Sequence, residues 1–306
     1  MDDIRLALKI DVDTDRGTRV GTANLLALLD EIDIRATFLF SLGPDNTGRA
    51  IKRMFRRGFF SKVVRTNVVG VYGPRTLLNG VLWPGPHIGR RNEAAMRAVR
   101  DRGHEVGIHC YDHVAWQDGL AKMSRAEVFA EFGKARCEFQ RIFGEAARTA
   151  GAAGWQANAS SLAAYDDAGL QYASDARGTH PFFPRVGATV FRTVQIPTTL
   201  PTLDELLGRP ELPEACLSRF YIRQLSRDHL NVMTAHAEIE GMAKFGWFRS
   251  FLIECRARSV RFVRLTDIAA ELLHAPRSIP VCDLVDEFAE GRSGTLTVQR
   301  CTPSER

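Results

Sequence analysis

Leu6-Ala7-Leu8-Lys9-Ile10-Asp11-Val12-Asp13-Thr14 is the stretch on which the fold turns. Its first half, Leu6 to Ile10, is a short apolar run of the kind that forms a buried strand. Its second half delivers two carboxylates, and side chains two apart on an extended backbone point to the same side. Outward from it, Ala36 to Phe40, Glu105 to Ile108, Val194 to Ile196, Asn231 to Thr234 and Arg261 to Val263 read as further strands. Between them, Thr22 to Leu29, Asn92 to Arg100, Arg125 to Phe143, Ser160 to Ala168, Pro213 to Leu225 and Trp247 to Ala257 carry helical patterns. Ser124 with Glu127 makes a capping box, and Gly103 suits a left-handed helix end. The alternation predicts an α/β fold, either a parallel β/α barrel or an open doubly wound sheet. In both, functional residues collect at the C-terminal ends of strands.

The 306 residues are 45% apolar, enough for one large core or two modest ones. No apolar run is long enough to span a bilayer. The opening MDDIRLALKIDVDT has no basic n-region and no apolar h-region, so neither a signal peptide nor a transmembrane helix is expected. The six cysteines, Cys110, Cys137, Cys216, Cys255, Cys282 and Cys301, form no C-x-x-C pair, which argues against a disulfide framework and against a cysteine zinc site. Net charge is +5, yet the ten cations Arg49, Lys52, Arg53, Arg56, Arg57, Lys62, Arg65, Arg75, Arg90 and Arg91 lie between Asp45 and Glu93 without an intervening acid. The remainder is slightly acidic, so a nucleic-acid partner is not expected.

Two more strand ends carry chemistry. His104 to Ile108 runs into His109-Cys110-Tyr111-Asp112-His113, and one helical turn after a strand puts both imidazoles on one side, able to share a metal ion. With Asp13 they leave a fourth position open for water, as catalytic zinc sites do. Asn231 to Ala235 runs into His236, a further titratable group at a strand end. The plain alternatives are helix-capping acids at Asp11 and Asp13, an ordinary surface H-x-x-x-H, and a hydrogen-bonded core histidine at 236.

Asp11-Val12-Asp13, the run from Gly103 through His113, and Thr234-Ala235-His236 resemble three motifs of the NodB-homology polysaccharide deacetylases. The resemblance implies a distorted (β/α) barrel, expected over residues 1–278, and the weakly patterned stretch 279–306 is expected to be a C-terminal appendage. It implies Asp11 as the base, His236 as the acid, and Asp13, His109 and His113 as ligands of one divalent ion, zinc by ligand type with cobalt or manganese as alternatives. Within that family the stretches DVDTDRG (11–17), SLGPDNTG (41–48), Trp83-Pro84-Gly85, AAGW (152–155), SDARG (174–178), QIPTTL (195–200) and HAEIEG (236–241) look like the bacterial enzymes that deformylate 4-deoxy-4-formamido-arabinose on undecaprenyl phosphate. That likeness implies a peripheral enzyme at the cytoplasmic face of the inner membrane. Its pathway would decorate lipid A with amino sugars and blunt cationic antimicrobial peptides. Gln156 stands where many deacetylases have an arginine after Gly-Trp, and Asn158 where the deformylases usually have an acid. Formyl versus acetyl and pentose versus hexose therefore stay open.

In the implied hydrolysis Asp11 takes a water proton and His236 donates to the departing nitrogen. Asp175 is a candidate to hold the His236 imidazolium, and Arg177 to pair with Asp11 in place of the missing arginine; surface ion pairing is the alternative for both. An amide between Ala152 and Trp155 is a candidate oxyanion donor. An insert at about residues 49–82 interleaves Lys52, Arg53, Arg56, Arg57 and Lys62 with Phe59, Phe60 and other apolar residues, the pattern of a helix lying on an anionic bilayer. A core-packed helix with solvated arginines is its alternative. A metal phosphoesterase and a non-catalytic lipid-linked-sugar binder of the same fold are the competing functions.

Overall fold

In the computed structural model, which describes residues 4–50, 76–289, 292 and 294–301, β1 (Arg5–Val12) is the hub. It pairs in parallel with β2 (Thr37–Ser41) over Lys9 to Val12 on one edge. On its other edge it meets β10 (Arg261–Val263) over Arg5 to Ala7 and β9 (Val232–His236) over Ala7 to Asp11. From β2 the parallel sheet continues through β3 (Glu105–Cys110), β4 (Thr149–Ala150), β5 (Tyr172–Ala173) and β8 (Val194–Gln195). Beyond β8 the chain closes toward β9 through the Thr199 and Leu200 amides, which both donate to the Val232 carbonyl at 3.2 and 3.1 Å. The result is the distorted (β/α) barrel that the sequence implied.

Alternation along β1 sorts its side chains. Leu6, Leu8, Ile10 and Val12 are fully buried and share a cluster with Leu25, Leu28 and Leu29 of the helix Thr22–Glu31. Lys9 and Asp11, also buried, take the opposite face. The helix Arg125–Phe143 starts with both hydrogen bonds of the Ser124–Glu127 capping box and ends at Gly144, with φ +76°. Gly103 is likewise left-handed, at φ +80°. The helix expected over Pro213 to Leu225 is shorter: a 3₁₀ turn over Glu214–Cys216 precedes an α-helix over Leu217–Gln224.

A second, four-stranded sheet lies outside the expectations. Its order is β12-β11-β6-β7, with β6 (Phe183–Val186), β7 (Thr189–Val190), β11 (Val281–Phe288) and β12 (Thr295–Arg300). The hairpin β11–β12 joins the barrel through Arg177, whose amide donates to Thr297 O at 2.9 Å and whose carbonyl accepts from the Gln299 amide at 2.8 Å. Cys282 and Cys301 form a disulfide with Cα atoms 4.7 Å apart. This corrects the expectation drawn from cysteine spacing. The two are 19 residues apart and meet because they follow the Asp283–Arg300 pair in the hairpin register, a proximity no local motif announces.

Candidate active site

β9, β1 and β3, the last two with β2 between them, run in parallel, and residues at and just past their C-terminal ends form the candidate site. Asp13 Oδ1 lies 3.2 Å from His109 Nε2 and 3.5 Å from His113 Nε2. Ligand atoms of these three residues all fall within 4.8 Å of one another. The imidazole of His109 is set for ligation by its far side, where Nδ1 lies 2.6 Å from the Gly151 carbonyl. A carbonyl only accepts, so Nδ1 carries the proton and Nε2 keeps its lone pair. His113 opens the helix His113–Gly119, capped by Asp112 Oδ1, which accepts from the Val114 and Ala115 amides at 3.1 and 3.0 Å. Asn46 Nδ2 donates to the other Asp112 oxygen at 2.6 Å, so the cap is itself held.

Burial alone would raise the pKa of Asp13, but the imidazoles of His113 and His109 outweigh it and hold the carboxyl well below the usual range. Asp13 Oδ1 is buried without a hydrogen-bond partner. A charged, unpartnered oxygen facing two imidazole nitrogens is a donor set that fits a divalent cation. Such an ion, when bound, supplies Lewis acidity toward a carbonyl oxygen and acidifies water.

Glu238, which sequence reading passed over, positions the loop that carries Asp13. Its Oε1 accepts from the amides of Asp13 and Thr14 at 3.1 and 2.9 Å and from the Thr14 hydroxyl at 2.7 Å. Gly17 makes room for it, since a Cβ there would sit 1.8 Å from Glu238 Oε1. The HAEIEG stretch held the signal.

Asp11 is 2% exposed, and its ion pair is with Lys9 at 3.5 Å, its neighbour on the same face of β1. Lys9 also donates to the Ser174 carbonyl at 3.0 Å. His236 donates its backbone N–H to Glu240 Oε2 at 2.8 Å and sets its ring 6.2 Å from that of Trp155. Its Nδ1 is buried without a partner. Burial pushes the Glu240 carboxyl up to about 8.

Two expected contacts are replaced by others. Asp175 spends its carboxylate on the Ala152 amide at 2.6 Å, Gln195 Nε2 at 2.8 Å and the Tyr165 hydroxyl at 3.4 Å; none of its hydrogen bonds reaches His236. Burial, only partly offset by these bonds, raises it to about 6. Ala152's amide is thereby taken up as a donor. Arg177 crosses the Trp155 ring at 5.3 Å and pairs with Glu205 at 3.2 Å, while the cation on Asp11 is Lys9.

Trp155 is the centre of this second layer. It is 2% exposed and sits at φ +53°, a left-handed conformation that costs a non-glycine residue about 1–3 kcal/mol. Its Nε1 donates to Thr198 Oγ1 at 3.2 Å. Over its ring, at 4.2 Å, lies Arg292, delivered from between β11 and β12. Arg292 Nε donates to Glu205 Oε1 at 2.6 Å; burial opposes its charge, and Asp204, Glu205 and Asp11 restore it. Gln156, at the departure from the resembled motif, donates to the Thr295 carbonyl at 2.6 Å and so holds this hairpin. Arg292 fell in the stretch read as an appendage, and no local pattern marks it.

The residues 52–62 singled out for membrane contact lie outside the described residues. The ends of that insert are described and meet: the Gly48 amide donates to Asn79 O at 3.0 Å. Asp45 ties them to the site, its Oδ2 accepting from the Asp15 amide at 3.1 Å and from Asn79 Nδ2 at 3.2 Å.

The sequence from residue 9 to 173 matches the polysaccharide deacetylase family model. The chain belongs to the polysaccharide deacetylase family. As a member of it, the chain is a hydrolase of amide C–N bonds. A Shewanella sediminis relative named as a probable 4-deoxy-4-formamido-L-arabinose-phosphoundecaprenol deformylase is 35% identical over 96% of this chain and 94% of its own. A Wigglesworthia glossinidia brevipalpis relative of the same name is 31% identical over 93% and 98%. Among solved structures, a Mycobacterium smegmatis protein assigned to the polysaccharide deacetylases superposes with TM-score 0.64 at 17% identity, covering 94% of this chain and 96% of that one. An allantoinase gives 0.61 at 13% identity, covering 90% and 91%. These structures share the fold.

Proposed function

We propose that this deacetylase-family chain removes an N-formyl or N-acetyl group from an amino sugar carried on undecaprenyl phosphate, in the pathway that decorates lipid A. The observation that carries the reading is the convergence of Asp13, His109 and His113 within 4.8 Å, beside a buried Asp11 and a half-buried His236 on neighbouring strand ends. Asp13, His109 and His113 hold one divalent ion, zinc by donor type. Asp11 takes the proton of the attacking water, with Lys9 balancing its charge in the unprotonated state. His236 protonates the departing nitrogen, a step an amide requires because a free amide anion is a poor leaving group. The names of the two bacterial relatives support the lipid-linked substrate.

A sugar on undecaprenyl phosphate stays in the bilayer, so the enzyme must meet it there. The insert at 49–82 provides that contact, Lys52, Arg53, Arg56, Arg57 and Lys62 facing anionic headgroups and Phe59 and Phe60 entering the interface. Val81, Leu82 and Trp83 at its described end are 55%, 64% and 47% exposed, an apolar run consistent with that surface. Among the described residues no helix is long and apolar enough to cross a membrane. On this reading the protein works peripherally, at the cytoplasmic face of the inner membrane.

One experiment tests both parts. Purified metal-loaded protein is given formylated and acetylated lipid-linked amino sugars in anionic vesicles, and product masses show which acyl group leaves. The variant with Arg53, Arg56, Arg57 and Lys62 changed to Glu is expected to lose most turnover on vesicles while still deacylating a short-chain soluble analogue. Release of neither acyl group by the folded, metal-loaded protein sinks the substrate assignment. Equal vesicle turnover by parent and variant sinks the membrane contact.

A further inference from the structure

His180, just before β6, turns its imidazole toward the Cys282–Cys301 pair of the hairpin. Nε2 lies 3.9 Å from Cys282 Sγ and 3.6 Å from Cys301 Sγ, and the three ligand atoms all fall within 4.8 Å of one another. The loop is strapped in place by Gln299, whose Oε1 accepts from the Thr179 amide at 2.8 Å and whose Nε2 donates to the His180 carbonyl at 3.1 Å. Thr179 Oγ1 lies 2.9 Å from His180 Nδ1, a contact of the kind that fixes the orientation of a ligating imidazole. Cys282 is fully buried. None of these residues belongs to the Asp13 cluster.

We propose that His180, Cys282 and Cys301 form a second metal site, which takes one thiophilic divalent ion of the zinc class whenever the Cys282–Cys301 bond is reduced. Two thiolates and an imidazole are a zinc donor set, with water as the fourth ligand. A disulfide staple alone would need no imidazole nitrogen facing both sulfurs. The disulfide and the ion exclude each other. A dithiol reductant supplies two electrons and two protons, becoming a disulfide itself while the S–S bond opens to two thiols. The ion then displaces both thiol protons to solvent as the two M–S bonds form. Either state ties β11 to β12, and the ion adds His180 to the link, so the hairpin that carries Thr297 and Arg292 to the barrel is closed in oxidising and in reducing surroundings.

The test uses the full chain with Asp13→Ala and His113→Ala, which empties the first site. Cobalt(II) is titrated anaerobically into this protein after reduction by a phosphine and, separately, without reduction. The reduced protein is expected to bind one equivalent with a thiolate-to-cobalt absorption band, and the unreduced protein none. Adding Cys282→Ser and Cys301→Ser should abolish the band despite the exposed Cys137 and Cys216, and His180→Ala should weaken binding at least tenfold. In the parent background, the serine pair keeping its Asp13-site metal shows that it is folded. A reduced protein without the band, a band that survives the serine changes, or undiminished cobalt affinity in His180→Ala overturns the site.

Discussion

Asp11, in β1, and Asp13, just past its end, stand two residues apart and have different sets of partners. Asp13 faces the His109 and His113 imidazoles on their Nε2 side and is held ionised by them, whereas Asp11 pairs with Lys9, lies 3.9 Å from His109 Nδ1 and stands opposite His236 in the strand register. The proposed roles therefore separate under mutation. Asp13→Ala, His109→Ala or His113→Ala is expected to abolish bound metal and activity together, because three protein ligands leave none in reserve. Asp11→Asn and His236→Ala are expected to keep the metal and to lower turnover by about a hundredfold or more. Elemental analysis beside steady-state rates separates the groups, and full metal occupancy in the first set would remove the site assignment. At this scale the sequence was legible where a residue acts at its own strand end. Asp175 and Arg177 were legible as positions, but their partners Gln195 and Glu205 come from stretches that no spacing rule ties to them.

The hairpin β11–β12 is the element whose reading changed most. Strands β1, β3, β9 and β10 announce themselves by apolar runs, whereas β4 and β5 are two residues each, too short to show a period. In β11 the apolar residues Val281, Cys282, Leu284 and Val285 are mixed with acids, since only Cys282 and Leu284 are fully packed and its last three residues are exposed. The hairpin's grip on the barrel runs through Gln156 to Thr295, Ala157 to Thr297 and Arg292 to Glu205. Arg292→Ala leaves the buried Glu205 with Arg177 and the Thr202 amide, and the expected loss is roughly 3–5 kcal/mol, as for other broken buried ion pairs. Arg292→Lys restores the charge without the planar group stacked on Trp155, so it should recover only part of that loss. Thermal melts of the two variants read the difference; an unchanged midpoint in Arg292→Ala would mean that the hairpin is held without it.

For the molecule as a whole, its buried acids set a slope of stability against pH. Glu240, raised by burial from its ordinary 4.5 to about 8, keeps a proton in the folded chain that the unfolded chain releases. Its contribution is therefore complete below about pH 4.5 and fades as pH climbs toward 8, at roughly 1.4 kcal/mol per pH unit. Glu240→Gln does not titrate, so its urea midpoint should gain on the parent's steadily between pH 5 and 8. Parallel curves would show that Glu240 is ionised in the fold. Chain order adds a consequence in time. Asp13, His109 and His113 are made early, and the roughly 180 residues from His113 to Arg292 take on the order of 10 to 35 s at about 5–20 residues per second. The nascent chain thus offers its proposed ligands to the surrounding ions before the residues that complete the pocket exist. Since divalent metals compete for such a site largely by availability, the ion captured during synthesis is expected to persist, and cell-free translation with the metal exchanged only after release would reveal it.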